Sequence, residues 1–458
     1  MTITNYQTYE KNHTIIAVLC IALISFLGIM SETALNIIYT LLMTEFTVNA
    51  STIQWLTTAY LLTLASFIPL SPTLVKNYPT KKLFQLSVII FTTGVLLCAK
   101  ATNFPLLLIG RIIQAVGTSI ALPLMVNVVL IKIQSHERGK VMGLIGITVF
   151  FAPVIGPVFG GILTEMLNWH WIFISMLPFL LIAYIIGGKY IPNICSSQNI
   201  KLDISSALLS TITFVGLIYG LSEAEVKGWA EETVLISLFC SLTAAIFFLK
   251  RQYKLSIPLI NLNIFTYPLF NICTIILMIG MIVVLAAGFI LPIYLQKTLG
   301  CTSSTAALIL LPGAIINGIM AFISGKLLDK HGPKWLLISG AAFLVTATTI
   351  LTFMSYNSHE LTAIYALLML GASLLGTPAQ THALNQLPPE HSADGAAVVS
   401  TLQQVAGAVG TALAGSFLAT EANPVNTDLT TATDTQHAFF IFMLLAVLAC
   451  ILSLKARR

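Results

Sequence analysis

Residues 14–37 read TIIAVLCIALISFLGIMSETALNI, an apolar run of 24 residues with a single acidic side chain, Glu32. At 1.5 Å per residue, a helix of this length crosses the roughly 30 Å of hydrocarbon in a bilayer. Thirteen further stretches of this kind follow. The whole chain is 57% hydrophobic and 9% charged, far from the roughly 25% charge of soluble domains. We therefore predict an all-α polytopic membrane protein with fourteen transmembrane helices.

Short loops separate the predicted spans, and none is long enough to hold a soluble domain. The spans cover residues 14–37, 52–75, 82–100, 104–132, 140–163, 170–189, 204–223, 232–250, 269–295, 304–325, 334–355, 359–385, 395–420 and 436–454.

Lysine and arginine are distributed unevenly between the two sets of alternate loops. Of the 22 Lys and Arg residues, 18 fall on one side of the spans, and Arg111 alone lies within a span. Because positive residues accumulate in cytoplasmic loops, both termini are predicted to be cytoplasmic. The basic residues are spread beside helix ends, so we expect them to contact membrane lipid and not nucleic acid.

Several kinds of chemistry have no sequence signal. The spacing of Cys and His residues predicts no metal site. No nucleotide-binding glycine loop or nucleophile–base spacing predicts an enzyme. We therefore expect no cofactor and no transport powered by ATP hydrolysis.

An internal repeat relates two of the predicted basic loops. Residues 325–334 read GKLLDKHGPK, and 253 positions earlier residues 72–81 read PTLVKNYPTK. Lys76 stands in the earlier copy where the later copy has Asp329. Parallel repeats around a midplane cavity are typical of transporters.

The later copy is a candidate gating turn. Gly325 and Gly332 are expected to permit a tight reversal. Asp329 is expected to lie just before span eleven, where a helix N-terminus favours an anion. Lys334 and its neighbouring lysines are candidates for binding phosphates and helix ends. A purely topological turn anchored by lysines is the alternative.

Glu32 and Arg111 are the candidates for proton coupling. A carboxylate within a span is costly unless it is paired, hydrated or protonated. Arg111 lies roughly 10 Å from the outer end of span four, near the predicted depth of Glu32. The two side chains could therefore pair. A static ion pair that fastens span one to span four is the alternative.

Other polar and aromatic side chains are predicted to line a substrate cavity. Gln114 and Thr118 follow Arg111 on one helical face, and Asn36 follows Glu32 at i+4. For most of these side chains, helix packing or lipid contact is the alternative. The candidate cavity residues are Asn36, Tyr60, Gln114, Phe150 and Gln403.

Span five contains the block APVIGPVFGG at residues 152–161. Gly156 and Gly160 form a GxxxG pattern that lets another helix approach closely. Pro153 and Pro157 remove backbone donors and are predicted to bend the helix. With Gly161, these residues suggest a closely packed helix at a moving interface.

These motifs resemble those of the major facilitator superfamily, specifically its fourteen-helix drug/proton antiporter branch, over almost the whole chain. Residues 152–161 resemble the family's antiporter motif. Residues 107–117, LLIGRIIQAVG, resemble its span-four motif, whose arginine is linked with proton transfer. Residues 31–36, SETALN, resemble the motif that ends span one, with Glu32 where most members have aspartate. The turn at 72–81 departs from the family pattern because it lacks the aspartate and the glycines.

The resemblance implies a major facilitator fold, with two six-helix bundles and two inserted helices. The implied parts are a cytoplasmic N-terminus at 1–13, a bundle at 14–189, the inserted pair with its loops at 190–268, a bundle at 269–454 and a cytoplasmic C-terminus at 455–458.

The implied function is proton-coupled multidrug efflux by alternating access, in a bacterial cytoplasmic membrane and as a monomer. Expected substrates are lipophilic and often cationic compounds, such as dyes, quaternary ammonium compounds and fluoroquinolones. Their export would confer antibiotic resistance. One alternative is the export of a single metabolite, siderophore or lipid on the same fold. A non-transporting membrane sensor is the other.

Overall fold

A computed structural model describes residues 3–48, 50–193, 203–301, 303–353, 357–419 and 427–456. In these ranges the regular secondary structure is entirely helical. Thirteen helices are long and apolar enough to cross a membrane, and one bent helix brings the total to fourteen. The predicted fold class and number of spans are therefore confirmed.

Eleven helices make up the first half and the inserted pair, and some spans consist of two of them in succession. They are α1 (Ile3–Asn36), α2 (Tyr39–Phe46), α3 (Ala50–Phe67), α4 (Ser71–Asn77), α5 (Thr80–Ala99), α6 (Phe104–Lys132), α7 (Arg138–Met166), α8 (Trp171–Ile174), α9 (Met176–Tyr190), α10 (Ile204–Lys227) and α11 (Glu232–Lys254).

The second half contains six long helices. They are α12 (Pro268–Lys297), α13 (Ser303–His331), α14 (Pro333–Phe353), α15 (Ser358–Asn385), α16 (Ser392–Ala419) and α17 (Thr427–Lys455).

The fifth span, α7, is the bent one. Its two segments, Ser135–Pro153 and Ile155–Met166, meet at 45°. Proline lacks an amide hydrogen and its ring clashes with the preceding turn, so Pro153 and Pro157 account for the bend. The predicted kink in span five is confirmed.

The two halves of the chain meet along two seams. Along one seam α7 packs directly against α13. Along the other, α16 packs directly against α6, and α10 packs against both α3 and α16. The inserted hairpin of α10 and α11 is thus part of the contact between the halves.

Polar contacts between the halves gather at one end of the bundle, which we call the basic face. There Lys76 and Arg138 from the first half reach Asp394 and Asn385 from the second. Asn127 of α6 accepts a hydrogen bond from Ser392 of α16 at 3.0 Å. These contacts hold the basic face closed in this conformation.

Candidate functional site

Arg111 lies on α6 in the interior of the first half, with its side chain fully buried. Its Nη1 donates to Ser31 Oγ and to Gln114 Oε1, both at 2.9 Å. The guanidinium carbon lies 4.2 Å from the centre of the Tyr60 ring. Tyr60 is held in turn by a 2.9 Å hydrogen bond between its hydroxyl and Thr118. The structure therefore brings together the polar face of α6 that the sequence predicted and the ring from α3.

Part of this buried cation has no partner. Among the described residues, neither Nε nor Nη2 of Arg111 has a hydrogen-bond acceptor, and Gln114 Nε2 also lacks one. A buried donor without an acceptor costs about 1 to 3 kcal/mol, and more when it is charged. These two nitrogens of Arg111 can therefore donate hydrogen bonds to a carboxylate, to water or to another polar group.

The expected direct pair between Glu32 and Arg111 is absent from the ion pairs of the described residues. Arg111 binds Ser31, the neighbour of Glu32, instead. Successive helical residues are about 100° apart around the axis. Ser31 faces α6, and Glu32 therefore points to a different side of α1, where it is half-buried.

Asn36 shares the side of α1 on which Glu32 lies, as the i+4 spacing predicted. Its Oδ1 accepts a 3.1 Å hydrogen bond from Thr57 of α3, and the Asn36 side chain is exposed. Thr57 also contacts the hydroxyl of Tyr39. Glu32 is therefore near a polar, accessible end of α1, opposite the basic face.

Of the other cavity candidates, two lie beside Arg111 and one lies in the second half of the chain. Tyr60 and Gln114 are fully buried and support Arg111 in this conformation. Gln403 is half-buried on α16, in the second half. The side chain of Phe150 lies outside the described residues. The cavity role of all these residues stays a prediction.

The glycines of span five pack against α1. A Cβ atom at Gly156 would lie 2.7 Å from the carbonyl oxygen of Met30, and one at Gly160 would lie 2.6 Å from that of Ala34. Only a hydrogen atom fits at such approaches, as expected for a GxxxG contact. A Cβ at Gly161, in contrast, would meet nothing within 4 Å. The motif thus ties α7 to the helix that contains Glu32.

The gating turn works differently from its prediction. Asp329 lies inside α13, and its carboxylate accepts hydrogen bonds from the backbone N–H groups of Gly139 at 2.8 Å and Lys140 at 2.7 Å. Asp329 lies just before span eleven as expected, since α14 begins at Pro333, but the helix N-terminus that it stabilises is that of α7, across the seam. Sequence adjacency pointed to the wrong helix because the contact joins residues 190 positions apart.

The two glycines of this turn have separate tasks. Gly332 has φ of +75°, a conformation that glycine adopts without strain, and it makes the reversal. Gly325 lies within α13 and packs against the backbone of Gly139. The prediction that Gly325 helps the chain reverse was wrong. Lys334 is exposed and lies next to Trp335, with Nζ 5.6 Å from the ring centre.

Two important residues had little sequence signal. Ser31 holds Arg111, but a lone serine in an apolar helix is common in packed membrane spans. Asp394 forms an ion pair with Lys76 at 2.8 Å, with its side chain fully buried. The position of Asp394 in the first turn of a helix was the available clue, since acidic residues are favoured there.

Comparison with known proteins identifies the family. The family model described as Major Facilitator Superfamily matches residues 21–411 and 286–458. The human organic anion transporter MFSD10 has a solved structure that superposes with a TM-score of 0.68 at 12% identity, over 96% of this chain and 99% of that one.

Bacterial relatives align along nearly the full chain. Lincomycin resistance protein LmrB of Bacillus subtilis (strain 168) is 42% identical over 97% of this chain and 95% of its own. The protein of the same name from Listeria monocytogenes is 39% identical over 94% of each chain. Riboflavin transporter RibZ of Clostridioides difficile is 29% identical over 90% of this chain and 89% of its own. The chain therefore belongs to the Major Facilitator Superfamily, as a membrane transporter and not an enzyme.

Proposed function

We propose that this protein is a proton-coupled drug exporter that works by alternating access. The main support is the half-buried Glu32, which follows directly after the Ser31 that binds a fully buried and only partly paired Arg111. A carboxyl group at this position can exchange a proton with water and respond to the charge of a bound compound. The relatives named for lincomycin resistance support a drug as the cargo.

The proposed cycle couples the charge of Glu32 to the position of the opening. With the basic face open, a drug enters from the cytoplasm or the inner leaflet. After the basic face closes, a proton binds Glu32 as the drug leaves on the opposite side. The proton is released when the basic face opens again. Drug and proton thus compete within one cavity, and both termini are cytoplasmic in this scheme.

The substrates are proposed to be lipophilic and often cationic. The names of the relatives make lincomycin the first compound to test, beside ethidium and quaternary ammonium compounds. Fluoroquinolones belong to the same proposal. The protein is proposed to act as a monomer in a bacterial cytoplasmic membrane.

The test is ethidium and lincomycin efflux from cells, or their accumulation in inside-out vesicles, under an imposed pH gradient. We expect Glu32→Gln to keep normal expression and folding but to lose gradient-driven efflux, because a neutral amide cannot exchange the proton. Glu165→Gln is the matched control, since Glu165 is an exposed acid near the end of α7. Unchanged efflux in Glu32→Gln would place the coupling group elsewhere.

A second candidate function is the export of one metabolite. The relative named as a riboflavin transporter covers most of this chain and supports this reading. If the native protein moves neither ethidium nor lincomycin under any gradient, the proposal of drug efflux is wrong and export of a single metabolite becomes the favoured function. Uptake and release of labelled flavins in the same vesicles would then be measured.

A further inference from the structure

The turn at 72–81, which lacks the aspartate and glycines of its later copy, makes a specific contact of its own. Nζ of Lys76 lies 2.8 Å from Oδ2 of Asp394, and the pair joins α4 in the first half to α16 in the second. The other carboxylate oxygen of Asp394 accepts a hydrogen bond from the backbone N–H of Asn261 at 3.1 Å. Both oxygens of a fully buried carboxylate are thereby satisfied.

The later copy makes the corresponding contact with the opposite charge. Asp329 from the second half binds the N-terminus of α7 in the first. A shift of 253 positions takes Asp329 to Lys76, and takes Gly139 and Lys140 to Ser392 and Ala393 at the N-terminus of α16. In both halves the turn therefore meets the N-terminal turn of the corresponding helix, although Lys76 contacts Asp394, the counterpart of Val141, and not Ser392 or Ala393.

We propose that Lys76 and Asp394, here called the gate pair, are a charge-inverted counterpart of the Asp329 contact and hold the basic face closed during transport. This rests on the proposed function only in assuming that the basic face opens. In the later copy, the turn supplies the anion for a helix N-terminus. In the earlier copy, the helix contains its own anion, Asp394, and the turn supplies the cation.

The charge-inverted arrangement at Lys76 and Asp394 agrees with the direction of the dipole of α16. An acidic residue in the first turn of α16 interacts favourably with the positive end of the helix dipole. A buried carboxylate nevertheless needs a partner, because an uncompensated buried charge is strongly unfavourable. Lys76 provides that partner, so the contact depends on both residues at once.

Water can reach the gate pair when the halves separate. A cavity of about 510 Å³ lies beside it, lined by Lys76, Asn127, Asn261 and His391 among others. Lys76 is itself partly exposed, whereas Asp394 is not. Opening the basic face would hydrate both charges, and the pair therefore favours the closed state without preventing its release.

Hydrogen–deuterium exchange of the full chain in lipid nanodiscs tests the proposal without substrate or proton gradient. Peptides covering residues 124–132 and 394–402 report the basic face, and a peptide covering residues 54–62 reports the opposite end. In Lys76→Asp, two carboxylates oppose each other. We expect exchange to rise by roughly tenfold at the basic face and to fall at the opposite end, as the population shifts.

Three further variants complete the design. Lys76→Arg keeps the charge and should behave like the native chain. Lys82→Asp makes the same charge change at an exposed lysine and should leave both ends unchanged. Lys76→Asp combined with Asp394→Lys should recover part of the closure, since the pair is restored while a lysine now opposes the dipole of α16.

Two results would contradict the proposed role of the gate pair. One is a Lys76→Asp variant whose hydrogen–deuterium exchange rates equal those of the native chain at both ends. The other is a rise at both ends of the molecule with no recovery in the double variant, which would indicate local loosening and not a shift between states. Neither result bears on whether Glu32 couples transport to protons, since the exchange experiment involves no transport.

Discussion

At the residue scale, Arg111 is the side chain whose surroundings require most explanation. It is fully buried, it uses one terminal nitrogen for Ser31 and Gln114, and it lies over the ring of Tyr60. A cation over an aromatic face is worth about 2 kcal/mol when it is desolvated. We therefore expect Tyr60 to stabilise the guanidinium of Arg111 more through its aromatic ring than through its hydroxyl group.

Two substitutions of Tyr60 separate these contributions. Tyr60→Leu removes the aromatic face, and we expect transport and thermal stability to fall, with a loss of about 2 kcal/mol or more. Tyr60→Phe keeps the ring and removes only the hydrogen bond to Thr118, with an expected loss near 1 kcal/mol. Efflux rates and melting temperatures of the purified variants measure both. Equal losses would show that the hydroxyl group, and not the ring, supports Arg111.

At the element scale, the contact between α1 and α7 joins the helix with Glu32 to the bent helix of the seam. Gly156 and Gly160 let the two backbones approach at the level of Met30 and Ala34. Since α7 also packs against α13 of the second half, a displacement of α7 is passed to α1. The glycine block of span five thus links the seam between the halves to the predicted proton site.

Gly156→Ala tests this contact, with Gly161→Ala as its control on the same helix. The added methyl group at Gly156 would press on Met30 and Thr33, and we expect a loss of about 1 to 3 kcal/mol together with slower efflux. At Gly161 the methyl group meets open space, and alanine should be neutral or stabilising by about 0.5 to 1 kcal/mol. Equal melting temperatures for the two variants would contradict the close approach.

At the scale of the whole molecule, the inserted hairpin belongs to the structure that joins the two halves. Its base is fastened by Asp203, which accepts hydrogen bonds from Arg251 Nε at 2.7 Å and Nη2 at 2.8 Å. Asp203 also caps α10 by accepting from the backbone N–H of Ser206. The hydrogen bonds from Arg251 hold the pKa of the Asp203 carboxyl well below its ordinary value.

This lowered pKa determines how the ion pair between Asp203 and Arg251 depends on pH. Asp203 stabilises the folded state fully at pH values above the ordinary carboxyl pKa of about 4. This stabilisation is lost as pH falls through the lower pKa that Asp203 has in the folded state. Because the pair is partly exposed, we expect Asp203→Asn to cost only about 1 kcal/mol at pH 7. Melting curves at pH 7 and near pH 3 measure the difference. A cost that grows toward pH 3 would contradict this assignment.

Local sequence properties predicted the parts of the molecule that depend on local physics. Apolar length predicts a membrane span because hydrocarbon must be crossed by satisfied backbone, and the prolines of α7 predict its bend. The helical spacing of Arg111 and Gln114 likewise predicted a shared face.

Contacts between distant parts of the chain could not be predicted in this way. Lys76 meets a carboxylate 318 positions away, and Asp329 meets a helix of the other half. The pairing of Arg111 with Ser31, and not with Glu32, depends on the rotation of α1 relative to α6. Spacing along one helix leaves this rotation undetermined.

Gln252 sets a condition for any attempt to shorten this protein to twelve helices. Its amide donates to Ser206 of α10 at 2.8 Å and accepts from the backbone N–H of Leu259 at 2.7 Å, in the segment that leads into the second half. Deleting residues 203–254 would remove this acceptor and leave a buried N–H group unpaired, at about 1 to 3 kcal/mol. A viable deletion would need a new acceptor for Leu259, and the hairpin is therefore not a detachable module.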